Sequence, residues 1–213
     1  MSIYLLSDSF HKGVINLPQI KIKHKNKNLD LLSYEALIFS SKNAVKAIDN
    51  ISKDWKNIPS YAIGNPTANE ILKLGGIVDF VSSSSYGDEF AQELILKLKD
   101  KKVLFLRAKK ILSNLENILK SNGINIKSEI VYETTCIDKK AVEIQSENSV
   151  FIFTSPSTIE CFFNQYKWQK SYIAVCIGNV TAKALPDTIS PYICKIQTIA
   201  ACIELAKTLI KQN

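Results

Sequence analysis

The sequence predicts an α/β protein: two similar parallel-sheet lobes joined by a two-stranded β-ladder, the first lobe discontinuous in sequence. Three observations predict it. Short apolar runs alternate with amphipathic helical patterns along the whole chain, the pattern of parallel sheets covered by helices. A strand-to-helix segment occurs twice, as "YAIGNPTANEIL" (61–72) and "AVCIGNVTAKAL" (174–185), each carrying I-G-N-x-T-A. Two strands, 17–24 and 124–134, are polar on one side, unlike the others, and suit a ladder.

The repeat extends upstream. "ALIFSSKNAVKAI" (36–48) precedes the first copy and "VFIFTSPSTIECF" (150–162) the second. Ser41 stands 23 residues before Gly64, and Ser155 stands 23 before Gly178, so both elements keep one register. The period exceeds the ~20–50 residues of solenoid repeats and suits two similar domains.

The elements follow in order. "IYLL" (3–6) reads as a first strand and "LPQIKIKH" (17–24) as a half-exposed one. Strand 35–40 leads to helix 42–52, strand 60–64 to helix 67–75, and "GIVDFV" through a serine-rich loop to helix 87–99. Strand 101–107 leads to helix 111–121, then the long strand 124–134. Strand 149–154 leads to helix 156–166, strand 172–178 to helix 181–186, and strand 192–196 to helix 197–211. The expected domains are 1–20 with 135–213, and an inserted 30–125. The charged stretches 23–30 and 138–148 mark the changeovers.

Composition narrows the function. The 213 residues are 46% hydrophobic, ordinary for a globular protein. No apolar run is long enough for a membrane span and no signal-peptide pattern opens the chain, so a cytoplasmic protein with no membrane partner is expected. The net charge of +7 comes almost wholly from lysine, Arg107 being the single arginine. The lysines are dispersed, without interleaved aromatics, which argues against nucleic acid. A small polyanion fits the excess, as does a plain solvated surface. The five cysteines (Cys136, Cys161, Cys176, Cys194 and Cys202) form no C-x-x-C, and reduced, buried thiols are expected. With only His11 and His24 present, neither a zinc site nor a Ser-His-Asp triad is expected. No G-x-G-x-x-G, P-loop or G-x-S-x-G occurs, which lowers a nucleotide-dependent transferase or a hydrolase.

The repeated segments point to anion binding. Each runs a strand into a helix N-terminus, where unpaired N–H groups and the helix dipole favour negative charge. Ser41 and Ser155 suit N-caps, with Pro156 at the first helical position. Thr67 and Glu70 form a T-x-x-E capping box, which the second copy lacks because Ala184 follows Thr181. Caps alone would explain each position; the duplication favours a binding role for the set. In "SSSSYGDEF" (82–90), Ser85 and Asp88 could cap a helix or touch a ligand.

Taken in series, "IFSSKNAV", "AIGNPTANEIL", "VLFLRAKKILSNLENILKSNGINIKSEIVYET", "FTSPSTIECF" and "CIGNVTAKAL" resemble the uroporphyrinogen-III synthase family. So does the C-terminal "IQTIAACIELAKTLI". The resemblance implies a monomeric, cytoplasmic enzyme of tetrapyrrole synthesis, using no metal or organic cofactor. Its substrate would be hydroxymethylbilane, a linear tetrapyrrole with eight carboxylates, cyclised with inversion of ring D. The implied substrate-binding set is Ser40, Ser41, Asn65, Thr67, Arg107, Thr154, Ser155, Asn179 and Thr181, facing a shared cleft. Tyr132 in "IVYET" matches the family's tyrosine beside that cleft, as a general acid or as a packing residue with a wet tip. Arg107, at a strand end, could clamp a carboxylate or serve the surface. The segment "SDSFHKGVINLP" (7–18) departs from the family, which often has a helix there. The rival reading is a non-catalytic two-lobed binder of a small polyanionic metabolite.

Overall fold

The computed structural model describes residues 1–138, 143–144 and 148–212, with the side chain of Gln212 left aside. Its contacts divide the chain into two compact units, Met1–Lys21 with Thr135–Asn213, and Ile22–Thr134. Most of the expected changeover 138–148 lies outside the described residues.

The chain opens with β1 (Ser2–Leu5), whose Tyr4 and Leu5 are buried. No helix follows. The chain loops directly into β2 (Ile15–Asn16), which pairs parallel to β1. The Asn16 amide steadies the loop by donating to the carbonyls of Ser7 at 2.8 Å and Ser9 at 2.7 Å. β3 (Ile20–His24) then alternates Ile and Lys as the sequence reads.

The second unit continues through β4 (Ala36–Phe39), α1 (Lys42–Ile51), β5 (Ser60–Ala62), α2 (Gly64–Lys73), β6 (Val78–Val81) and α3 (Gly87–Leu94). It ends with β7 (Lys102–Ala108), α4 (Leu115–Ser121) and β8 (Asn125–Cys136). The sheet order is β3-β8-β7-β4-β5-β6, parallel from β8 to β6. Period 2 sorts the strands' side chains between two faces. Leu37, Phe39, Leu104 and Leu106 meet Ala44, Val45, Ile48, Trp55 and Ile71 on the α1–α2 side. Ala36, Ile38, Val103 and Phe105 meet Phe90, Leu94, Leu115 and Leu119 on the α3–α4 side.

β3 runs antiparallel to the latter part of β8: Ile137 donates to the Gln19 carbonyl and Lys25 to that of Val131, both at 2.9 Å, so one numbering rises as the other falls. Both unit boundaries fall within these two strands. The ion pair Lys25–Glu133 at 3.1 Å lies at this pairing. Being open to solvent, it is screened and weak.

The remainder of the first unit is β9 (Ser149–Phe153), α5 (Pro156–Phe163), β10 (Ile173–Cys176), α6 (Asn179–Ala182), β11 (Tyr192–Ile193) and α7 (Ile199–Gln212). Its parallel sheet has the order β11-β10-β9-β1-β2. Tyr4, Phe151 and Phe153 pack with Phe162 of α5 on one face, and Leu5, Val150 and Ile152 with Cys202 and Ala206 of α7 on the other. Trp168 and Tyr172 extend the aromatic cluster around Phe151. Each such pair contributes ~0.5–1.5 kcal/mol beyond area burial.

The duplication shows in these sheet orders. β4-β5-β6 in one unit and β9-β10-β11 in the other hold matching positions, with β7-β8 and β1-β2 as their respective flanks. Each sheet therefore reverses direction beside the strand of the repeated S/T-S element, at β4/β7 and at β1/β9.

The cysteines depart from expectation. Cys136, at the end of β8, is bonded to Cys161 in α5, with Cα atoms 5.2 Å apart. Only Cys176, Cys194 and Cys202 are free and buried as read from the sequence. The pairing brings together residues 25 apart in sequence, in no spacing motif. A disulfide belongs to oxidising surroundings, so the cysteines cease to argue for a reducing compartment.

Candidate functional site

In open parallel sheets, ligands gather beyond the carboxyl ends of the strands where strand order reverses. In the unit Ile22–Thr134 that point is β4/β7. The chain leaves β4 through Ser40 and Ser41 into α1. Ser41 is the N-cap, in extended conformation, and its Oγ accepts from the Asn43 amide at 3.1 Å. A β-bulge on β8 resets the pairing there: Arg107 faces Ile130, but Ala108 faces Tyr132. Bulges of this kind re-aim side chains at the rims of sheets. Tyr132 thereby joins the α1–α2 face, 7% exposed. Burial raises the phenol above its ordinary range, and Ser41 works the other way without cancelling it. Tyr132 is therefore protonated at neutral pH and able to donate.

Arg107 goes elsewhere. Strand alternation sends it to the α3–α4 face, opposite Tyr132. Its Nε donates to Ser128 Oγ at 3.2 Å and lies 3.9 Å from Glu116, while Nη1 donates to the Ala108 carbonyl at 3.0 Å. Burial works against ionisation of Glu116, but Lys120, Ser128 and Arg107 outweigh it and hold its carboxyl below the usual range. Arg107 and Ser41 are thus not brought together.

The repeated I-G-N-x-T-A element corrects two readings. α2 begins at Gly64, with Ile63 as N-cap and no side-chain cap. Thr67 is therefore its fourth residue, 4% exposed, so no Thr67–Glu70 box forms. α6 begins at Asn179 with Gly178 as N-cap, which leaves Thr181 inside a single turn and likewise 4% exposed. Asn65 and Asn179, by contrast, are exposed at the heads of their helices. The glycines also differ. Gly64 has φ +71°, whereas Gly178 is extended at φ −173° and lies against the Gln197 side chain.

In the other unit, β9 leaves through Thr154 and Ser155 into α5. Ser155 Oγ accepts from the Thr158 amide at 3.3 Å, and Thr158 Oγ1 accepts from the Ser155 amide at 3.2 Å. The capping box thus lies in the upstream element of the second copy, with threonine in place of an acid. Thr154 Oγ1 donates to the Leu6 carbonyl at 3.5 Å, tying the ends of β9 and β1 at that sheet's reversal.

The helices differ in the charge of their first turns. α1, α2, α5 and α6 carry no acid in the first turn, nor does α7, while α3 carries Asp88 and Glu89 and α4 carries Glu116. Acids offset the positive ends of α3 and α4, whereas no first-turn acid offsets those of the repeated helices. Asp88 accepts from the Asn114 amide at 2.6 Å, and Tyr86 is the N-cap of α3, so Ser85 and Asp88 do not cap it. Among the described residues, no three His, Cys, Asp or Glu side chains gather as a metal site, and no helix is long and apolar enough to cross a membrane.

The sequence profile of uroporphyrinogen-III synthase HemD matches residues 12–204. The chain belongs to the uroporphyrinogen-III synthase family. A crystal structure of uroporphyrinogen-III synthetase from Helicobacter pylori is 32% identical, with a TM-score of 0.81, over 98% of this chain and 99% of that one. A mutant uroporphyrinogen III synthase from Thermus thermophilus, 14% identical over 92% of this chain and 88% of its own, shares the fold with a TM-score of 0.57. The "Porphyrin biosynthesis protein HemD" of Ruminiclostridium josui is 29% identical over 189 residues, 80% of this chain. The chain spans about a third of that relative, 37% of its length.

Proposed function

We propose that the protein is a uroporphyrinogen-III synthase, cyclising hydroxymethylbilane to uroporphyrinogen III. The observation that carries this reading is the acid-free helix head beside the order reversal of each sheet, in a chain of this family. The hydroxyl of the ring-A hydroxymethyl group takes up a proton and leaves as water, and the retained methylene of the resulting electrophilic azafulvene is attacked by the substituted carbon of ring D. The spiro intermediate reopens and recloses with ring D inverted. Unassisted closure gives isomer I, so the protein's task is to hold one conformation by orientation and electrostatics.

In this reading the carboxylates are held by backbone amides at the heads of α1, α2 and α5, joined by the turn at Asn179. Hydroxyls of Ser40, Ser41, Thr154 and Ser155 assist. The buried hydroxyls of Thr67 and Thr181 support the helix heads from behind, and Arg107 acts through Glu116 and Ser128 rather than on substrate. Tyr132 donates a hydrogen bond to the departing hydroxyl; a phenol held above its usual range suits a donor that keeps its proton. The reading places the enzyme in the cytoplasm as a monomer, where the Cys136–Cys161 bond would be open in the resting state.

The test is incubation with hydroxymethylbilane, oxidation to porphyrin and separation of isomers I and III. Isomer III is expected in excess. Isomer I alone, at the rate of the protein-free control, would sink the proposal. Tight binding without turnover would favour the polyanion receptor instead.

A further inference from the structure

Two of the three free cysteines meet, and the fold decides which two. Cys176 ends β10 with its side chain in the cluster on the α5 face of the sheet. Cys194, just after β11, and Cys202, in the first turn of α7, both lie in the cluster on the opposite face. There the Cys194 thiol donates to Cys202 Sγ at 2.7 Å. That is inside the ~3.5–4.0 Å at which even carbon atoms, smaller than sulfur, pack best. It is not far above the ~2.05 Å of an S–S bond. The backbone holds the pair in place. The Cys194 amide donates to the Cys176 carbonyl at 2.9 Å, and the Cys202 amide to the Thr198 carbonyl at 3.1 Å. The Ala201 amide donates to Thr198 Oγ1 at 3.2 Å, so the segment joining the two cysteines also caps α7. Cys202 is fully buried, whereas Cys194 keeps 6% of its surface.

We infer that Cys194 and Cys202 form an oxidisable dithiol, a modification site that closes residues 194–202 into a loop. Cys194, the sulfur with some access, attacks hydrogen peroxide as its thiolate, giving a sulfenic acid and water. The Cys202 sulfur then attacks the sulfenic sulfur. The S–O bond breaks as the S–S bond forms, and the departing hydroxide takes the Cys202 proton. Two thiols and one peroxide become one disulfide and two waters, two electrons passing from sulfur to peroxide. The resolving thiol is already in contact, so no outside thiol is needed. The closed loop carries Gln197, whose side chain lies against Gly178, the N-cap of α6. Oxidation therefore tightens the segment packed on that helix head, where Asn179 begins α6. The dithiol itself does not depend on the synthase reading.

The experiment starts from folded protein holding only the Cys136–Cys161 bond, which carries three thiols. Hydrogen peroxide is added, the protein is denatured with an alkylating agent present, and its peptides are mapped by mass spectrometry. Two of the three thiols should disappear, with the peptides of Cys194 and Cys202 cross-linked and Cys176 alkylated. A dithiol reductant should then return all five thiols, which it would not do from sulfinic acids. Cys194→Ser, treated alike, should keep Cys202 as a thiol. The mapping on wild type stands whether or not that variant folds. Amide hydrogen exchange at 195–201 and at Asn179 should slow by about 10-fold or more on oxidation, from the loop entropy removed. Three thiols surviving the peroxide, a sulfinic acid at Cys194 beside a free Cys202, or a bond to Cys176 would each overturn the inference. Unchanged exchange in the cross-linked protein would overturn the tightening of the α6 head.

Discussion

The two glycines of the repeated I-G-N-x-T-A element should respond differently to alanine. Gly64 has φ +71°, and a β-carbon there would meet only Pro66 Cδ at 3.8 Å, an ordinary contact. Its need is therefore conformational. Forcing an L-residue into the left-handed region costs ~1–2 kcal/mol. Alanine's smaller unfolded-state entropy returns ~0.4–1 kcal/mol. Gly64→Ala should thus lose about 1 kcal/mol, and Gly64→Asn less, because asparagine tolerates that region. Gly178 sits at φ −173°, where any residue is comfortable. Its β-carbon would lie 3.1–3.3 Å from the flexible end of Gln197, which must give by a few tenths of an ångström. The entropic gain and this contact roughly cancel, so Gly178→Ala should stay within about 0.5 kcal/mol of wild type. Urea unfolding followed by circular dichroism measures both, with unchanged m-values confirming that stability alone has moved. In a chain of 213 residues, 1 kcal/mol shifts the thermal midpoint by ~2–4 °C. A Gly64→Ala variant as stable as wild type, or a Gly178→Ala variant weaker than it, would refute the argument.

Further expectations concern the caps, the cysteines and acid stability. Ser155→Ala should destabilise by about 1 kcal/mol in urea, and Ser155→Gly by only a few tenths, since the box with Thr158 is satisfied through the N-cap oxygen. The oxidised protein should yield three thiols on denaturation and five after reduction. The three should alkylate slowly when folded, because burial, with Cys194 adding to it, pushes the Cys176 thiol up to about 12. Cys161→Ala should cost the oxidised form about 3 kcal/mol through the loop that the bond closes. Burial opposes ionisation of Asp49, but Lys53 at 2.7 Å and the Trp55 indole at 3.2 Å more than offset it and hold its carboxyl below 3.8. A lowered folded pKa stabilises above the unfolded value and is lost as pH falls through the folded one. Asp49→Asn should therefore lose stability near neutrality and flatten the acid limb below about pH 4; an unchanged limb would contradict this.

What the sequence revealed was local. Strand and helix alternation placed most elements within a few residues, because parallel strands buried on both faces read as continuous apolar runs. Ser41 and Ser155 were legible as caps because each is a hydroxyl residue just before an amphipathic run. Thr67 and Thr181 misled for the same reason. The helices start at Gly64 and Asn179, which a search for hydroxyl caps passes over. The two-residue β2 was too short to register. What escaped was long-range: the strand-order reversals at β4/β7 and β1/β9, the bulge that brings Tyr132 to the α1–α2 face, and the alternation that sends Arg107 to Glu116. The Cys136–Cys161 pair was hidden likewise, since nothing in its spacing distinguishes it. Thr158 had a signal, a hydroxyl three residues after Ser155, but the acid-ended box overshadowed it.

The central claim is that backbone donors at acid-free helix heads hold a polycarboxylate. Amide NMR during titration with the octacarboxylate product type tests it most directly. The account predicts the largest shifts at Lys42 to Ala44, at Gly64 and Asn65, and at Ser157 and Thr158, with the heads of α3 and α4 unmoved. Shifts spread over the exposed lysine surfaces, with those helix heads silent, would contradict it.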